Sequence, residues 1–499
     1  MLTTSSPEEV ELKFALPPAA IAGLEHLLAR SRVLARRKAT RTKLRNIYFD
    51  TPDQLLRRSK MALRVRHIST THTSQWLQTF KVGGNQDAAL SRRGEWETAV
   101  PEGKLVAAEL QATPWSDFDP TGKIFAALEP VFTTAFDRTT WIVSKRDGSR
   151  VEVALDIGEV LVEGKTTPIF ELEMELLAGD AAALFDIARA LASSLSLLPL
   201  NVSKSERGYR LAQGTLFDAR NAQPPVLSLD MPLHEVANCV MGEAFLQFSA
   251  NLNTLRSSED PEVLHQARVG WRRFKSALKL FKALPQVSHA PSRDALRPLL
   301  EALTRMRDLD VAAAETLPML ANAYTAGYPG RELHWHAMAQ ALDLARRDQR
   351  ERLVAAIEEP VVGATLIEFN QWLDASAAQS SLDESNKKEV ADVGDWAQQR
   401  ASRLHDQLQA QALDSDDPEV QHRTRILSKR LRYCVEFLRP LLARRRAKKW
   451  YQLAVHLQTE LGATRDILQA LEIVAALQVD VGLLEFLRGF AAAQKMRRK

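Results

Sequence analysis

The stretch Glu9-Val10-Glu11-Leu12-Lys13 alternates charged and apolar side chains. On a β-strand, side chains two residues apart lie on the same face, so Glu9, Glu11 and Lys13 share one face. Val10 and Leu12 share the opposite face. Two placements fit such a charged row: the solvated outer surface of a sheet, or the wet interior of a barrel. The stretch alone favours the outer surface, and the pattern in the rest of the chain is needed to choose between the two placements.

Length and composition limit the class of protein. The chain has 499 residues, enough for two to four domains, and 45% of them are apolar, enough to fill their cores. Only Cys239 and Cys434 are cysteines, which argues against a disulfide framework and fits a reducing cytosol. We find no signal-peptide pattern and no run of about 18 uncharged apolar residues. A cytoplasmic protein without membrane partners is therefore expected.

Alternating segments like the first recur up to about residue 211, with helices expected near 17–31, 104–112, 121–129 and 180–195. Each strand has a charged row and an apolar row. The further charged rows are Arg64 and Arg66; Arg93, Glu95 and Glu97; Glu152 and Asp156; and Glu171, Glu173 and Glu175. Some rows are acidic and others basic, and the basic residues lie within apolar stretches. Facing one cavity, such rows suit a polyanion bound with a divalent metal, because Mg²⁺ takes carboxylate and phosphate oxygens while Arg and Lys neutralise other phosphate oxygens.

An ordered series of motifs adds a family resemblance. The motifs are Glu9-Val10-Glu11-Leu12-Lys13, Tyr48-Phe49-Asp50-Thr51, Ala62-Leu63-Arg64-Val65-Arg66, Thr79-Phe80-Lys81, Arg93-Gly94-Glu95-Trp96-Glu97, Glu171-Leu172-Glu173-Met174-Glu175 and Lys204-Ser205-Glu206-Arg207-Gly208-Tyr209. Together they resemble the CYTH domain of the triphosphate tunnel metalloenzyme superfamily over residues 5–211. The resemblance implies an α+β, eight-stranded antiparallel barrel whose lumen holds a triphosphate and divalent metal.

The same resemblance implies roles for individual residues. The implied metal ligands are Glu9, Glu11, Glu171, Glu173 and Glu175, and the implied cofactor is Mg²⁺ or Mn²⁺. The implied substrate ligands are Lys13, Arg64, Arg66, Lys81, Arg138, Lys204 and Arg207. Catalytic roles are expected for Glu11, Lys13 and Glu173. Glu95 and Asp156 are expected to support the metal ligands, and Tyr48 and Asp50 to be structural residues at a tunnel mouth.

The second part of the chain has a different pattern and contains an internal repeat. Residues 212–225, which include Pro224 and Pro225, are expected to be a linker, because adjacent prolines block a continuing helix. Residues 226–499 are expected to be all helix. The repeat separates His265 from His422 by 157 residues (265 to 422) and Arg307 from Arg465 by 158 residues (307 to 465). Such a repeat predicts two similar helical bundles, about 226–380 and 381–499.

The repeated helix carries a basic stripe beside an apolar one. In the first copy the stripe consists of His265, Arg268, Arg272, Lys275, Lys279 and Lys282, at alternating steps of three and four residues. A solvated helix face is the ordinary explanation of a charge run. Acidic residues at helical spacing are nearly absent here, however, and like charges repel one another. An anionic ligand therefore explains the stripe better.

This half resembles the CHAD domain, a helical domain with conserved histidines that is often joined to CYTH. The resemblance implies a pair of four-helix bundles with pseudo-twofold symmetry that bind inorganic polyphosphate. The candidate polyphosphate ligands are His265, Arg268, Arg272, Arg273, Lys275, His422, Arg425, Lys429, Arg430 and Arg432. Arg307-Asp308 and Arg465-Asp466 are interpreted as structural ion pairs or caps. No recognised nucleic-acid motif or set of stacking aromatics indicates a specific nucleic acid.

The sequence thus predicts a cytoplasmic enzyme, associated with polyphosphate granules, that hydrolyses inorganic triphosphate to phosphate and diphosphate. Two enzyme alternatives stay open: hydrolysis of thiamine triphosphate, and adenylate cyclisation. A third alternative is a polyphosphate-binding protein whose barrel is inactive. The sequence identifies no protein partner.

Overall fold

The computed structural model of the protein describes residues 8–17, 23–83, 90–382, 393–411, 417–460 and 463–496. The chain forms two compact units. The first consists of Met1–Asp218 with Glu358–Asp374, and the second of Ala219–Ile357 with Ala375–Lys499. Residues 5–7 of the predicted barrel domain and residues 18–22 of its first predicted helix lie outside the described residues. The two units are called the barrel unit and the helical unit below.

Eight antiparallel strands close the barrel. Their bounds are β1 Glu8–Ala15, β2 Thr40–Asp50, β3 Met61–Ser69, β4 Ser74–Val82, β5 Leu90–Ala99, β6 Glu129–Ser144, β7 Arg150–Val162 and β8 Lys165–Ala178. The order around the sheet is β5-β4-β3-β2-β6-β7-β8-β1, and β1 pairs with β5 to complete the ring. A short strand, β9 Leu198–Pro199, pairs with β1 beyond the ring. The predicted eight-stranded antiparallel barrel is confirmed.

The apolar row of β1 faces outward, where it is buried. Val10, Leu12 and Phe14 of β1 belong to a buried cluster that includes Leu184 and Leu191. Burying a side chain such as Phe14 stabilises the fold by roughly 1.5–3 kcal/mol. Because the outer face of β1 is covered and the strand period is two, the charged row of β1 turns into the lumen. The first of the two sequence interpretations, a solvated outer face, is therefore wrong.

Short helices and turns cover the outside and the ends of the barrel. They are α1 Leu24–Arg30, α2 Leu55–Arg58, a 3₁₀ turn Ala107–Leu110, α3 Trp115–Phe118, α4 Lys123–Ala126, α5 Ala182–Ala192 and α6 Lys204–Gln213. The helices expected near 17–31, 121–129 and 180–195 correspond to shorter helices, and the one expected at 104–112 is the 3₁₀ turn. Helix α6 has no counterpart in the sequence-based assignment.

The helical unit consists of helices with short connections. The helices that follow α6 in the chain are α7 Leu233–Leu255, α8 Pro261–Leu280, α9 Pro285–Ser288, α10 Arg297–Val311, α11 Pro318–Thr325, α12 Pro329–Ile357, α13 Pro360–Leu382, α14 Val393–Gln409, α15 Pro418–Leu438, α16 Arg444–Glu460, α17 Ala463–Ala476 and α18 Val481–Met496. A π-helical turn, Ala312–Thr316, separates α10 from α11. None of the described helices combines the length and the apolarity that spanning a lipid bilayer requires.

The sequence repeat is visible in how α8 and α15 begin. Asp260 caps α8 by accepting a hydrogen bond of 2.8 Å from the backbone N–H of Glu262. Asp417 caps α15 in the same way, accepting 2.9 Å from the N–H of Glu419. Each cap is followed by a proline at the first helical position, which needs no N–H partner. The predicted helical region is confirmed, while its division into two four-helix bundles stays a prediction.

One part of α13 belongs to the barrel unit, although the predicted helical domain includes it. Ile367 lies in the same buried cluster as the outer face of β1. A Cβ added to Gly363 would lie 2.3 Å from the carbonyl oxygen of Leu197, so only glycine allows this close approach. At the end of the segment, Asp374 accepts hydrogen bonds of 3.5 Å from Arg92 of β5.

Candidate active site and anion-binding surface

The barrel encloses a polar cavity of about 410 Å³. Its charged lining comes from all strands of the ring except β2, and α6 adds Lys204. The charged lining residues are Glu8, Glu9, Glu11, Lys13, Arg64, Arg66, Lys81, Arg93, Glu95, Glu97, Arg138, Glu152, Glu173, Glu175 and Lys204. The structure therefore brings almost all residues predicted for the triphosphate site onto one surface. Glu171 and Arg207 are not among the described lining residues. Glu171 contacts Lys204, which lines the cavity, and Arg207 contacts Glu171.

Glu9 and Glu11 are held by cations from three strands. Lys81 Nζ lies 2.9 and 2.8 Å from the two carboxylate oxygens of Glu9, and Arg93 Nε donates to Glu9 Oε2 at 2.8 Å. Arg93 Nη2 donates a short hydrogen bond to Glu11 Oε1, and Lys13 Nζ lies 2.9 Å from the same oxygen. Burial raises the pKa of Glu9, but Lys81, Arg93 and Lys13 outweigh it and hold that pKa well below its usual range.

A second cluster of carboxylates surrounds Lys204. Asp156, Glu171 and Glu173 each offer an oxygen within 4.8 Å of the others. Lys204 Nζ lies 2.7 Å from Asp156 Oδ2 and 2.9 Å from Glu173 Oε1, and it makes a short contact with Glu171. Burial lowers the pKa of Lys204, but the three carboxylates outweigh it and raise that pKa. Lys204 is therefore a permanent cation in this cluster.

Arg138 completes this cluster on the side of β6. Its Nε and Nη2 donate to the two oxygens of Asp156, both at 2.7 Å, and Nη2 also donates a short hydrogen bond to Glu173. Arg207 Nη1 donates to Glu171 Oε2 at 2.9 Å. Asp156 is fully buried, so its charge depends on these partners. The structure places Asp156 in the cluster itself, together with the predicted metal ligands.

Arg64 and Arg66 of β3 form the most cationic part of the lumen. Arg64 Nη1 donates to Tyr48 Oη at 3.3 Å and Nη2 lies 3.4 Å from Glu95. Arg66 Nε donates to Asn46 Oδ1 at 2.8 Å. Burial and the neighbouring Arg64 and Arg138 lower the pKa of Arg66 to about 10. A bound anion would relieve this repulsion between like charges.

Tyr48 and Asp50, expected to be structural residues, are both buried. Tyr48 lines the cavity. Asp50 is fully buried and accepts from the N–H groups of Leu56 and Arg57, at 2.8 and 3.1 Å, and from Tyr209 Oη at 2.7 Å. Because Tyr209 lies on α6, Asp50 ties that helix to α2. Asp50 therefore fixes the position of Lys204 without touching the cavity.

The carboxylates fit a divalent cation. Their oxygens are the hard ligands that Mg²⁺ and Mn²⁺ prefer, and three of them already lie within 4.8 Å of one another. The fitting residues are Glu9, Glu11, Asp156, Glu171, Glu173 and Glu175. The structure itself does not distinguish Mg²⁺ from Mn²⁺.

In the helical unit, Lys275 of the first basic stripe lines a second cavity, of about 870 Å³. Lys275 lines it together with Arg293, Arg297, Arg305 and Arg352. The cavity also has acidic lining residues, which are Glu301, Asp308, Asp348 and Glu472. Arg268 donates to the carbonyl of Thr304 at 3.1 Å, at the edge of the same cavity. Burial, Arg293 and Arg272 lower the pKa of Lys275, which is the sign of crowded cations.

Two of the remaining candidates in the helical unit make structural contacts. Arg273 is 5% exposed, donates to Glu436 Oε2 at 2.9 Å, and lies over the ring of Phe437. The structure therefore places Arg273 between α8 and α15 and not on the stripe, because it lies one position round the helix from Arg272. Arg432 Nε lies 3.4 Å from Glu436 on α15.

The other members of the second copy lie on α15 with different exposure. His422 is exposed, whereas Arg425, Lys429 and Arg430 are half-buried. In the Arg-Asp motif, Arg307 pairs with Glu315 at 2.8 Å and Asp308 with Arg268 at 3.7 Å. Both residues thus make ion pairs, although not with each other. The side chain of Arg465 lies outside the described residues.

Sequence reasoning missed Arg93 as a site residue. Its row on β5 was recognised as charged, but only the pairing of β1 with β5 shows that Arg93 lies directly opposite Glu9. Those strands are far apart in sequence, so no local pattern contains this information. Ser203 and Ser205, which also line the cavity, were missed for the same reason.

Glu175 and Glu152 face each other across β7 and β8, and among the described residues neither has an ion pair. Burial, with Glu9, Glu95 and Glu152, raises the pKa of Glu175 to about 7. Below about pH 4.5 the Glu175 carboxyl is protonated in the folded and the unfolded chain. Between there and pH 7 only the unfolded chain gives up the proton, so stability falls as pH rises and stays lower above pH 7.

Glu175→Gln should therefore unfold at a higher temperature than the wild-type protein at pH 8, and the gap should close as pH falls to 4.5. Thermal unfolding with a chelator present measures it. Glu159→Gln, on the exposed outer side of β7, is the matched control and should show no such pH-dependent gap. A wild-type protein more stable than Glu175→Gln at pH 8 would contradict the assignment.

Comparison with known proteins gives two family matches. The CYTH domain model matches residues 7–209 and the CHAD domain model residues 239–475. An inorganic triphosphatase from Haemophilus influenzae is 30% identical over 260 residues, which is 52% of this chain and 71% of that protein.

Solved structures show likenesses to each part. The CHAD domain from the plant Ricinus communis is 27% identical and covers 56% of this chain and 92% of its own, with a TM-score of 0.47. A Hippeastrum protein, named as an adenylyl cyclase with a dominant triphosphatase activity, is 17% identical and covers 40% of this chain and 95% of its own, with a TM-score of 0.28. By its two domains and its curated relative, this chain belongs to the CYTH–CHAD family of inorganic triphosphatases.

Proposed function

We propose that the barrel unit hydrolyses inorganic triphosphate to phosphate and diphosphate with the help of Mg²⁺ or Mn²⁺. The observation that carries this proposal is the meeting of two sets of charges on one cavity of about 410 Å³. Cations suited to phosphate oxygens and carboxylates suited to metal ions line the same closed space. The triphosphatase relative from Haemophilus influenzae supports the same reaction.

The cations would bind and orient the substrate. The proposed phosphate ligands are Lys13, Arg64, Arg66, Lys81, Arg138, Lys204 and Arg207. Arginine can give two parallel hydrogen bonds to one phosphate, and lysine acts as a compact point charge. Lys204 lies among three carboxylates, whereas Arg66 has Arg64 and Arg138 as cationic neighbours, so the proposed phosphate ligands differ in their surroundings.

Hydrolysis requires a water oxygen to attack a terminal phosphorus in line with the bond to the leaving diphosphate oxygen. The proton of that water must go to a base or to solvent. Glu173 and Glu11 are the proposed groups for orienting the water, and Lys13, between them, would neutralise charge on the phosphoryl oxygens. A divalent ion bound by the carboxylates would supply further charge neutralisation and a more acidic water.

The aromatic lining favours an inorganic substrate over thiamine triphosphate or a nucleotide. Tyr48 and Phe136 are the aromatic residues among the described lining residues. Tyr48 is stacked on Phe132, with ring centroids 4.7 Å apart. The ring of Phe136 is 4.9 Å from Lys204 Nζ and 5.7 Å from Arg138 Cζ. Both rings are thus already engaged with neighbouring side chains.

Phosphate release from triphosphate, ATP and thiamine triphosphate, with Mg²⁺, with Mn²⁺ and with a chelator, tests the proposal. We expect metal-dependent turnover that is fastest with inorganic triphosphate. Glu173→Gln should lower kcat by roughly two to three orders of magnitude, because it removes a charged oxygen from the reacting centre. Glu159→Gln, outside the lumen, should keep the wild-type rate.

A folded Glu173→Gln variant with a normal rate would show that the proposed chemistry is wrong. Faster turnover of thiamine triphosphate, or formation of cyclic AMP from ATP, would favour the corresponding enzyme alternative. Absence of turnover with every substrate and metal would favour the third alternative, a polyphosphate-binding protein with an inactive barrel.

We further propose that the helical unit binds inorganic polyphosphate. The support comes from the first stripe, where Arg268 and Arg272 lie near His265, and where Arg268 contacts Thr304 of the 870 Å³ cavity. Burial and Arg307 lower the pKa of His265, and burial lowers the pKa of Arg268 to about 10. A polyanion would neutralise this cluster. Association with polyphosphate granules would follow from such binding. A location in the cytoplasm stays a prediction.

Polyphosphate binding to the full chain, measured in a chelating buffer, should strengthen with polymer length and weaken as salt rises, because the attraction is electrostatic. Replacing His265 by Ala with Arg268→Gln and Arg272→Gln should weaken it by roughly tenfold or more. Arg347→Gln is the matched control, since that side chain is 72% exposed on α12. Equal affinity of the wild-type and the triple variant, or equal affinity for duplex DNA, would contradict the proposal.

A further inference from the structure

Arg93 is the residue that joins the two glutamates of the first strand. It lies on β5 directly opposite Glu9 of β1. Its Nε donates to Glu9 Oε2 at 2.8 Å, and its Nη2 donates a short hydrogen bond to Glu11 Oε1. One planar guanidinium therefore bridges two carboxylates that are two residues apart on the same face. The side chain is 15% exposed, so water contributes little to this arrangement.

The bridge occupies the oxygens that a metal ion would need. Glu11 Oε1 already has two cationic partners, Arg93 and Lys13. Both oxygens of Glu9 contact Lys81, and one of them also contacts Arg93. A divalent ion can use these oxygens only if cations move away from them. Arg93 is the cation that contacts both glutamates at once.

Arg93 also differs from the cations proposed to bind phosphate. Its ion pairs among the described residues are with Glu9 and Glu11 alone. Burial lowers the pKa of Arg93, but Glu11 and Glu9 outweigh it and raise that pKa, so the group stays charged. Removing it would leave Glu9 and Glu11 with less positive charge around them. Their affinity for a cation would then rise, because a nearby positive charge opposes cation binding.

We propose that Arg93 is a positioning residue that holds Glu9 and Glu11 in place in the metal-free lumen and competes with the divalent ion for them. This inference rests on the proposed function, which assigns Glu9 and Glu11 to the metal. Arg93 would lower the affinity for the metal. It keeps the two like charges of Glu9 and Glu11 together on one strand, and it has to release at least Glu11 when the ion binds.

Binding of Mn²⁺ to the full chain, followed by the paramagnetic resonance signal of free Mn²⁺, tests the proposal without any substrate. Arg93→Gln should bind Mn²⁺ about tenfold more tightly than the wild-type protein, because the competing charge is gone. Arg93→Lys keeps the charge but cannot bridge both carboxylates, so a smaller tightening of about two- to threefold is expected. The neighbouring Arg92→Gln, whose side chain contacts Asp374 outside the lumen, should leave the dissociation constant unchanged.

Unchanged or weaker Mn²⁺ binding by Arg93→Gln would overturn the proposal, since Arg93 would then assist the ion or be irrelevant to it. If that variant does not fold, Arg93→Lys decides alone, and unchanged or weaker binding overturns the proposal equally. The wild-type protein separates this inference from the function on which it rests. If the wild type binds no Mn²⁺, the proposed metal-dependent function fails; if it binds and the variants do not tighten binding, only the role of Arg93 fails.

Discussion

An isolated buried ion costs several kcal/mol, so most charged side chains inside the barrel are paired, Glu152 and Glu175 being exceptions among the described residues. The lumen meets this constraint with a network in which carboxylates and cations alternate. Lys81 and Arg93 hold Glu9, and Lys204 and Arg138 hold Asp156. On β1 the apolar outer face is buried, which leaves its charged row inside the barrel. The barrel is thus stabilised from outside by burial and from inside by ion pairs.

The same network gives the cavity its chemistry. The members of each pair suit different ligands: cations suit phosphate oxygens, and carboxylates suit divalent metal. When a phosphate takes Lys204 or Arg138, the carboxylates of Glu173 and Asp156 lose a partner and become better metal ligands. When a metal takes the carboxylates, the cations are released for phosphate. Metal and triphosphate should therefore favour one another's binding, whereas Arg93 competes with the metal for Glu9 and Glu11.

Much of this arrangement follows from local sequence, and the rest depends on contacts between distant strands. The alternation at Glu9-Val10-Glu11-Leu12-Lys13, and in the similar segments that follow it, predicted the strands and their two faces. The family resemblance predicted the closed ring that turns the charged face inward. Arg93 was missed because its partners come from the closure of β1 on β5. Arg273 was predicted to bind polyphosphate, but the packing of α15 buries it against Glu436. Likewise, no local pattern predicts that Gly363 and Ile367 pack with the barrel.

The central claim is that ligands exchange with internal ion pairs, and linkage makes it measurable. Calorimetry can compare the affinity of the full chain for Mn²⁺ with and without a saturating, non-hydrolysable imidotriphosphate, corrected for direct binding of Mn²⁺ to the analogue. The account predicts tighter Mn²⁺ binding when the analogue is bound, and an equal gain in analogue affinity when Mn²⁺ is bound. Affinities that are independent of one another, or that weaken together, would contradict it.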